Sequence, residues 1–223
     1  MRRRIYLMRH GAVSYVASDG RPVAPDDVVL TDEGRTEARA AHDLFAGVHF
    51  DRVLTSGLPR AVETARIVAP GATIEEWPEL HELRGDRLSA IPEDELEDEF
   101  VHAFRGVVPN DKRFLGGETI GELFDRVLPA LDHLLDDAGW DTALAVLHGA
   151  VNRAILSYAL TGERMFLGHF EQAAGCVNVL DVGDEWIVRA VGVSPLDLLH
   201  RSTRQTTMEG YWDELQPYLD RMQ

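Results

Sequence analysis

The sequence contains a single cysteine, Cys176, among its 223 residues. One cysteine excludes a disulfide within the chain and any metal site that needs a Cys-x-x-Cys pair, and it suits a reducing compartment. Because Cys176 lies in an apolar run, we interpret it as a packing residue. The sequence also lacks an apolar run of about 18 residues, and its basic start leads into an apolar stretch too short for a signal peptide. We therefore expect a cytoplasmic protein.

Basic residues are scarce as well. The chain has 22 lysines and arginines against 38 acidic residues, which gives a formal net charge of -16. Such a charge repels polyanions, so we expect neither nucleic acid nor an anionic membrane as a partner. Any anion that the protein binds must therefore be held by a local group of basic residues. We interpret the acidic run over residues 93–99 as a solvated surface without chemistry.

Short apolar strands alternate with segments of helical periodicity along most of the chain. This pattern predicts an α/β fold, a three-layer α/β/α sandwich whose sheet is mostly parallel, with helices on both faces. The strands are predicted near residues 5–8, 52–55, 73–76, 142–147, 176–182 and 186–191. Residues 77–117 interrupt the alternation, so we expect a single domain over residues 1–223 with 77–117 as a lid insertion.

Several helices have recognisable ends. Thr31 and the capping box Thr119-Ile120-Gly121-Glu122 are predicted to begin two of them. Ser56 is predicted to cap a third, with Pro59 tolerated in its first turn. The predicted helical ranges are about 31–46, 56–69, 94–104 within the insertion, 119–137, 150–160 and 208–222.

Three of the predicted strands are followed by reactive residues. Arg9-His10-Gly11 follows the first strand, the segment from Ser56 to Arg60 follows the second, and His148-Gly149 follows the strand at 142–147. If these strands are parallel, their carboxyl ends share one edge of the sheet, where open α/β folds bind ligands. Two arginines and two histidines would then meet in one cleft of an acidic protein.

This combination of residue types suits a phosphoryl group. The planar guanidinium groups of Arg9 and Arg60 can each bind two phosphate oxygens, and the helix amino ends after Ser56 and Gly149 add N–H donors. A neutral imidazole is a competent nucleophile, and the ordinary histidine pKa of about 6.5 leaves it largely neutral. We expect the Gly11 carbonyl to fix the tautomer of His10.

The same residues resemble the motifs of a known family. The segments Arg9-His10-Gly11, Leu54–Ala65 (LTSGLPRAVETA) and Val146-Leu147-His148-Gly149 resemble the histidine phosphatase (phosphoglycerate mutase-like) superfamily. The segments 30–34 (LTDEG) and 116–119 (GGET) resemble its accessory motifs. The resemblance covers roughly residues 4–160 in the same order, and the combination is far more specific than any one motif.

The resemblance implies roles for individual residues. His10 would be phosphorylated, Arg9, Arg60 and His148 would hold the phosphoryl oxygens, and Glu82 would protonate the leaving oxygen. It also implies an enzyme without metal or organic cofactor. None of the remaining histidines shows HxH or HExxH spacing, which agrees with this expectation.

Two segments depart from the family pattern. Many members carry a glutamate and a hydroxyl residue after the glycine, whereas this chain has Ala12-Val13-Ser14, so Ser14 or a backbone group would complete the phosphate pocket. After Glu82, the Phe-Gly that often follows is replaced by Leu83-Arg84-Gly85. Glu79 therefore stays open as an alternative acid.

The expected function is hydrolysis of a small phosphorylated metabolite, a phosphomonoester, through a phosphohistidine on His10. Phosphoglycerate mutase-type phosphoryl transfer is the alternative enzyme function. It needs a second anion pocket, for which the insertion offers only scattered basic residues: Arg84, Arg87, Arg105, Lys112 and Arg113. A binding scaffold that kept the fold without turnover is the other alternative. The sequence leaves open whether copies of the chain form a homo-oligomer.

Overall fold

A six-stranded sheet forms the centre of the molecule. The computed structural model describes residues 2–17, 19–86, 88–202 and 204–219. The strands are β1 (Arg3–Arg9), β2 (Arg52–Thr55), β3 (Ile74–Glu76), β4 (Val107–Val108), β5 (Thr142–Leu147), β6 (Phe166–Leu167), β7 (Val177–Val182) and β8 (Trp186–Val193). The central sheet has the order β3-β2-β5-β1-β7-β8. Its first four strands are parallel, and β7 and β8 are antiparallel to their neighbours. The predicted mostly parallel sheet is confirmed.

Helices cover both faces of this sheet. The helices are α1 (Asp32–Leu44), α2 (Pro59–Val68), α3 (Glu93–Val101), α4 (Ile120–Asp136), α5 (Gly149–Thr161) and α6 (Thr207–Leu219). Successive strand residues point to opposite faces, so Met8 and Val146 pack with α1 and α2. Leu7 and Leu147 pack with α4 and α5 in the other half of the core. The three-layer α/β/α sandwich is therefore confirmed.

Side-chain caps begin two helices at the predicted residues. The Thr31 hydroxyl accepts a hydrogen bond from the Gly34 N–H at 3.1 Å, at the start of α1. At the start of α4, the Thr119 hydroxyl accepts from the Glu122 N–H at 3.1 Å, and the Glu122 carboxylate accepts from the Thr119 N–H at 2.7 Å. Each bond satisfies a donor that the helix itself leaves unpaired. The capping box is confirmed.

The start of α2 differs from the prediction. Ser56 does not cap this helix, because the N-cap residue is Leu58, which offers no side-chain hydrogen bond, and Pro59 is the first helical residue. The Ser56 hydroxyl instead contacts the His148 ring. At the end of the chain, the predicted helix 208–222 is observed as Thr207–Leu219, and residues 220–222 lie outside the described residues.

The insertion over residues 77–117 contains little regular structure. It holds two single turns of 3₁₀ helix (Pro78–Leu80 and Leu88–Ala90), α3 and β4. The helix predicted over 94–104 is shorter, because it ends at Val101 with His102 as its C-cap. Strand β4 is not part of the central sheet. It pairs with β6 in a separate two-stranded antiparallel sheet. The action of this segment as a lid stays a prediction.

The longest described helix, α4, has 17 residues. No helix in the described ranges combines the length and the apolar character that a bilayer crossing requires. The cytoplasmic location stays a prediction.

Candidate active site

The carboxyl ends of three neighbouring parallel strands bring the predicted site residues together. Arg9 is the last residue of β1, Ser56 follows β2, and His148 follows β5, which lies between the other two strands. The rings of His10 and His148 have centroids 5.2 Å apart. The side chains of His10, Arg60 and His148 are buried, with His10 1% exposed and His148 0% exposed. One compact cluster therefore forms from three segments that are distant in sequence.

His10 presents an unprotonated ring nitrogen to this cluster. Its Nδ1 lies 2.8 Å from the Gly11 carbonyl oxygen, so Nδ1 carries the proton and donates it. The Arg60 Nε donates to the His10 Nε2 at 3.2 Å, and the Arg60 Nη1 donates to the Pro25 carbonyl at 2.6 Å. Burial lowers the pKa of His10 well below its ordinary value, and the charges of Arg9 and Arg60 lower it further. His10 is thus a neutral imidazole whose unprotonated Nε2 faces the Arg60 guanidinium and accepts a hydrogen bond from it.

The backbone around His10 is fixed by close contacts. The His10 N–H donates to the Leu147 carbonyl at 3.0 Å, and the Gly11 N–H donates to the Thr64 hydroxyl at 3.1 Å. A Cβ atom on Gly11 would lie 2.4 Å from the Gly34 carbonyl oxygen. Glycine at position 11 therefore lets the chain after β1 pack directly against the start of α1.

Arg9 is held by α6 and by the segment between β6 and β7. Its Nη1 donates to the Gln172 carbonyl at 2.6 Å and to the Thr207 hydroxyl at 3.0 Å. Its Nη2 donates to the Tyr211 hydroxyl at 2.9 Å. Its Nε is buried and has no hydrogen-bond partner among the described residues. A buried guanidinium N–H without a partner is costly, so this donor is available to an incoming anion.

The His148 ring is held by a hydrogen bond with Ser56. The Ser56 Oγ lies 2.7 Å from the His148 Nε2 and also accepts a hydrogen bond from the Leu58 N–H at 3.2 Å. A hydroxyl oxygen has two acceptor lone pairs and one hydrogen, so Ser56 can donate to Nε2 or accept from it, and this contact fits both neutral tautomers of His148. The His148 Nδ1 is buried and unpaired within the described structure. Burial lowers the pKa of His148 well below its ordinary value, with further lowering by Arg60 and His10.

Glu82 lies at the amino end of α5. Its carboxylate accepts hydrogen bonds from the Leu83 N–H at 2.8 Å and the Ala150 N–H at 3.1 Å. A Cβ atom on Gly149 would lie 3.6 Å from the Glu82 Oε2 and 3.8 Å from the Arg9 Nε. The carboxylate therefore borders the space that the unpaired Arg9 Nε faces. Any side chain at position 149 would intrude into that space.

Two other candidates have different surroundings. Glu79, the alternative acid, is exposed and lines a surface depression with Arg126. The Ser14 hydroxyl donates to the Val16 carbonyl at 2.6 Å and contacts the Glu214 carboxylate of α6. Because Glu82 borders the buried cluster and Glu79 is exposed, the structure favours Glu82 over Glu79 as the candidate acid. The assignment of Ser14 to the phosphate pocket stays a prediction.

The sequence analysis missed the residues that surround Arg9. Gln172, Thr207 and Tyr211 reach it from positions 163, 198 and 202 residues further along the chain. No local motif marks them, since each contributes an ordinary carbonyl or hydroxyl group. The packing of α6 brings Thr207 and Tyr211 to Arg9, and the segment between β6 and β7 brings Gln172.

The described residues contain no group of three or more His, Cys, Asp or Glu side chains placed to hold a metal ion. His10 and His148 contact Gly11, Arg60 and Ser56 instead. Catalysis without a metal therefore stays a prediction.

Comparisons with known proteins identify the family of this chain. The family model for the histidine phosphatase superfamily (branch 1) matches residues 5–192. An adenosylcobalamin/alpha-ribazole phosphatase from Salmonella typhimurium is 29% identical over 189 residues, which cover 80% of this chain and 90% of the relative. Phosphoglycerate mutase-like protein 4 from Arabidopsis thaliana is 28% identical over 195 residues, 84% of each chain. The alpha-ribazole phosphatase of Shigella flexneri shares the fold, with a TM-score of 0.68 and 24% identity over 85% of this chain and 96% of that structure. The chain belongs to the histidine phosphatase superfamily.

Proposed function

We propose that this protein is a metal-independent phosphatase that hydrolyses a small phosphomonoester through a phosphohistidine intermediate on His10. The observation that carries the proposal is the unprotonated Nε2 of His10 beside the Arg60 guanidinium, inside a buried cluster with Arg9 and His148. A nucleophile and the cations that stabilise a phosphoryl group are thus in one place. The α-ribazole phosphatase relative supports hydrolysis as the reaction class.

The first displacement transfers the phosphoryl group to the enzyme. The His10 Nε2 attacks phosphorus, the bond between phosphorus and the ester oxygen breaks, and Glu82 gives its proton to the departing alcohol. The unpaired Nε of Arg9 is suited to donate to the phosphoryl oxygens, together with Arg60 and with the unpaired Nδ1 of His148 in the tautomer that carries the ring proton there. Fixed donors of this kind stabilise the charge on those oxygens without further reorganisation.

The second displacement releases phosphate. Glu82, now a carboxylate, takes a proton from a water molecule, whose oxygen attacks phosphorus while the bond to His10 Nε2 breaks. Inorganic phosphate leaves, Nε2 regains its lone pair, and Glu82 again carries a proton. The hydrogen bonds from the Leu83 and Ala150 N–H groups hold the Glu82 carboxylate in place for both steps.

The proposed substrate is a small phosphorylated metabolite rather than a polyanion, because the net charge of -16 opposes nucleic acid and anionic membranes. A mutase would need further free cations for a second anionic group. In the insertion, Lys112 pairs with Glu99 at 2.7 Å, and Arg113 lies 4.0 Å from the Glu122 carboxylate. Two of the five basic residues of the insertion thus have carboxylate neighbours, which supports hydrolysis over phosphoglycerate mutase-type transfer.

The test compares wild type with His10→Asn, which keeps a donor to the Gly11 carbonyl but removes the nucleophile. Both are supplied with p-nitrophenyl phosphate and a panel of phosphorylated metabolites in chelator, with inorganic phosphate and rearranged esters measured separately. We expect wild type to release phosphate and to carry alkali-stable phosphate after a rapid quench, and His10→Asn to do neither.

Three results would contradict the proposal. Rearranged ester without free phosphate would indicate a mutase, and turnover that persists in His10→Asn would exclude His10 as the nucleophile. Wild type that releases no phosphate and traps none would indicate a binding scaffold.

A further inference from the structure

One arginine of α4 binds the segment that carries Glu82. The Arg126 Nη1 donates to the carbonyl oxygens of Glu79 at 2.7 Å and His81 at 2.6 Å. The Arg126 Nη2 donates to the carbonyl oxygen of Glu82 itself at 3.2 Å. Three carbonyl groups within four residues thus converge on a single guanidinium group.

Arg126 is itself fixed by Glu118. The Arg126 Nε donates to the Glu118 Oε1 at 2.6 Å, and the Nη2 donates to the Glu118 Oε2 at 3.0 Å. The pair is largely buried, with side chains 22% exposed for Arg126 and 13% exposed for Glu118. A bidentate arginine–carboxylate pair of this kind has a defined orientation.

Glu118 also binds the chain just after Glu82. Its Oε2 accepts a hydrogen bond from the Arg84 N–H at 3.1 Å, and its own N–H donates to the Arg84 carbonyl at 2.7 Å. The preceding Gly117 allows this approach, because a Cβ there would lie 2.3 Å from the Arg84 carbonyl oxygen. Both flanks of Glu82 are therefore attached to one ion pair.

The segment needs such support because it has no regular structure of its own. Residues 81–86 belong to neither a helix nor a strand. A general acid must nevertheless lie within hydrogen-bond distance of the leaving oxygen, and an error of about 1 Å can cost up to about 100-fold in rate.

We propose that Arg126, oriented by Glu118, is a positioning residue that holds Glu82 where it can protonate the leaving alcohol. The inference rests on the proposed function, in which Glu82 is the general acid. Arg126 does not touch the substrate. It acts through the backbone carbonyls that set the direction of the Glu82 side chain.

The test uses the dependence on the leaving group. A p-nitrophenolate group leaves without protonation, whereas an alkyl alcohol requires it, so a misplaced acid slows only alkyl phosphates. We expect Arg126→Met to lower kcat/KM about 10- to 100-fold for an alkyl phosphate such as glycerol phosphate, and less than about threefold for p-nitrophenyl phosphate. The ratio kcat/KM is the suitable quantity because it covers only the steps up to release of the alcohol.

A matched control and a double variant make the comparison specific. Arg164 also binds α4, through Asp125 at 2.7 Å and the Gly121 carbonyl at 2.8 Å, so Arg164→Met removes similar contacts without touching the Glu82 segment. We expect Arg164→Met to leave kcat/KM unchanged for both the alkyl phosphate and p-nitrophenyl phosphate. In a Glu82→Gln background, Arg126→Met should cause no further loss on the alkyl phosphate, because the group that it positions is already gone.

Equal losses on both substrates, or a further loss in the Glu82→Gln background, would overturn the inference and assign Arg126 to general stability. Arg126→Lys and Glu118→Gln give the same comparison if Arg126→Met does not fold. Failure of the proposed function is distinguishable, because wild type would then lack His10-dependent phosphate release or Glu82→Gln would lack the leaving-group effect. If both of these are present but Arg126→Met lacks the leaving-group effect, the inference alone fails.

Discussion

The stability of the protein should fall as the pH falls below about 6.5, and His10 and His148 should cause much of that fall. Burial lowers the pKa of both imidazoles in the folded state. An unfolded chain takes up these protons at about pH 6.5, whereas the folded chain takes them up only at a lower pH. The stabilisation is therefore complete above about pH 6.5 and is lost on acidification.

The slope of this loss has an upper limit. Each proton that the unfolded state binds in excess lowers the free energy of unfolding by about 1.4 kcal/mol per pH unit. The two imidazoles together therefore contribute at most about 2.7 kcal/mol per pH unit, between about pH 6.5 and the pH at which the first is protonated in the folded state. The half-buried Glu37, whose pKa is raised by its partial burial, opposes this trend at lower pH.

Urea unfolding at several pH values between about 8 and 5 measures how steeply the free energy of unfolding changes with pH. His10→Asn and His148→Gln should each reduce it by up to about 1.4 kcal/mol per pH unit relative to wild type. His49→Asn is the matched control, since the His49 side chain is 89% exposed and meets solvent in the folded and unfolded chain alike. Slopes that are the same in all four proteins would refute the conclusion that His10 is a buried neutral nucleophile.

Three further results are expected. Gly34→Ala would bring a Cβ to 2.2 Å from the Ala12 carbonyl oxygen, and should lower the free energy of unfolding by about 1–3 kcal/mol in urea; an unchanged midpoint would contradict this packing. Tyr211→Phe frees the Nη2 of Arg9 for an anion, and should lower the inhibition constant of inorganic phosphate by up to about tenfold, whereas a rise would show that Tyr211 assists binding. Burial raises the pKa of Cys176 to about 12, so a thiol reagent at about pH 8 should label it only after unfolding; rapid labelling of the native protein would contradict its burial.

The sequence predicted those features that depend on neighbouring residues. Thr31 and the Thr119–Glu122 box begin helices because a hydroxyl or carboxylate meets an N–H only three residues away. The order of strands and helices then placed His10, Arg60 and His148 at one edge of a parallel sheet, because parallel strands end on the same side.

Features in which a side chain can bind either a sequence neighbour or a residue distant in sequence were not predictable. Ser56 is a good capping residue by type, but α2 begins only at Pro59, and the Ser56 hydroxyl contacts the His148 ring, 92 positions away, as well as the Leu58 N–H. The contact with His148 exists only because β5 lies next to β2. The residues around Ser56 are compatible with a serine that caps α2 and with one that contacts His148, so the sequence alone does not distinguish the two.

The surroundings of Arg9 and Arg60 explain how an acidic protein can keep a site for an anion. Arg60 donates to the Pro25 carbonyl, and Arg9 donates to the Gln172 carbonyl and to the hydroxyls of Thr207 and Tyr211. These neutral oxygens satisfy N–H donors that would be costly to bury unpaired, but they do not cancel the positive charge. A carboxylate in the same place would have formed an ion pair and left little attraction for phosphate. Burial keeps the nearby histidines neutral, so the arginines supply the positive charge and His10 supplies the lone pair. Phosphoryl transfer requires both a cation that stabilises the phosphoryl oxygens and a nucleophile that attacks phosphorus.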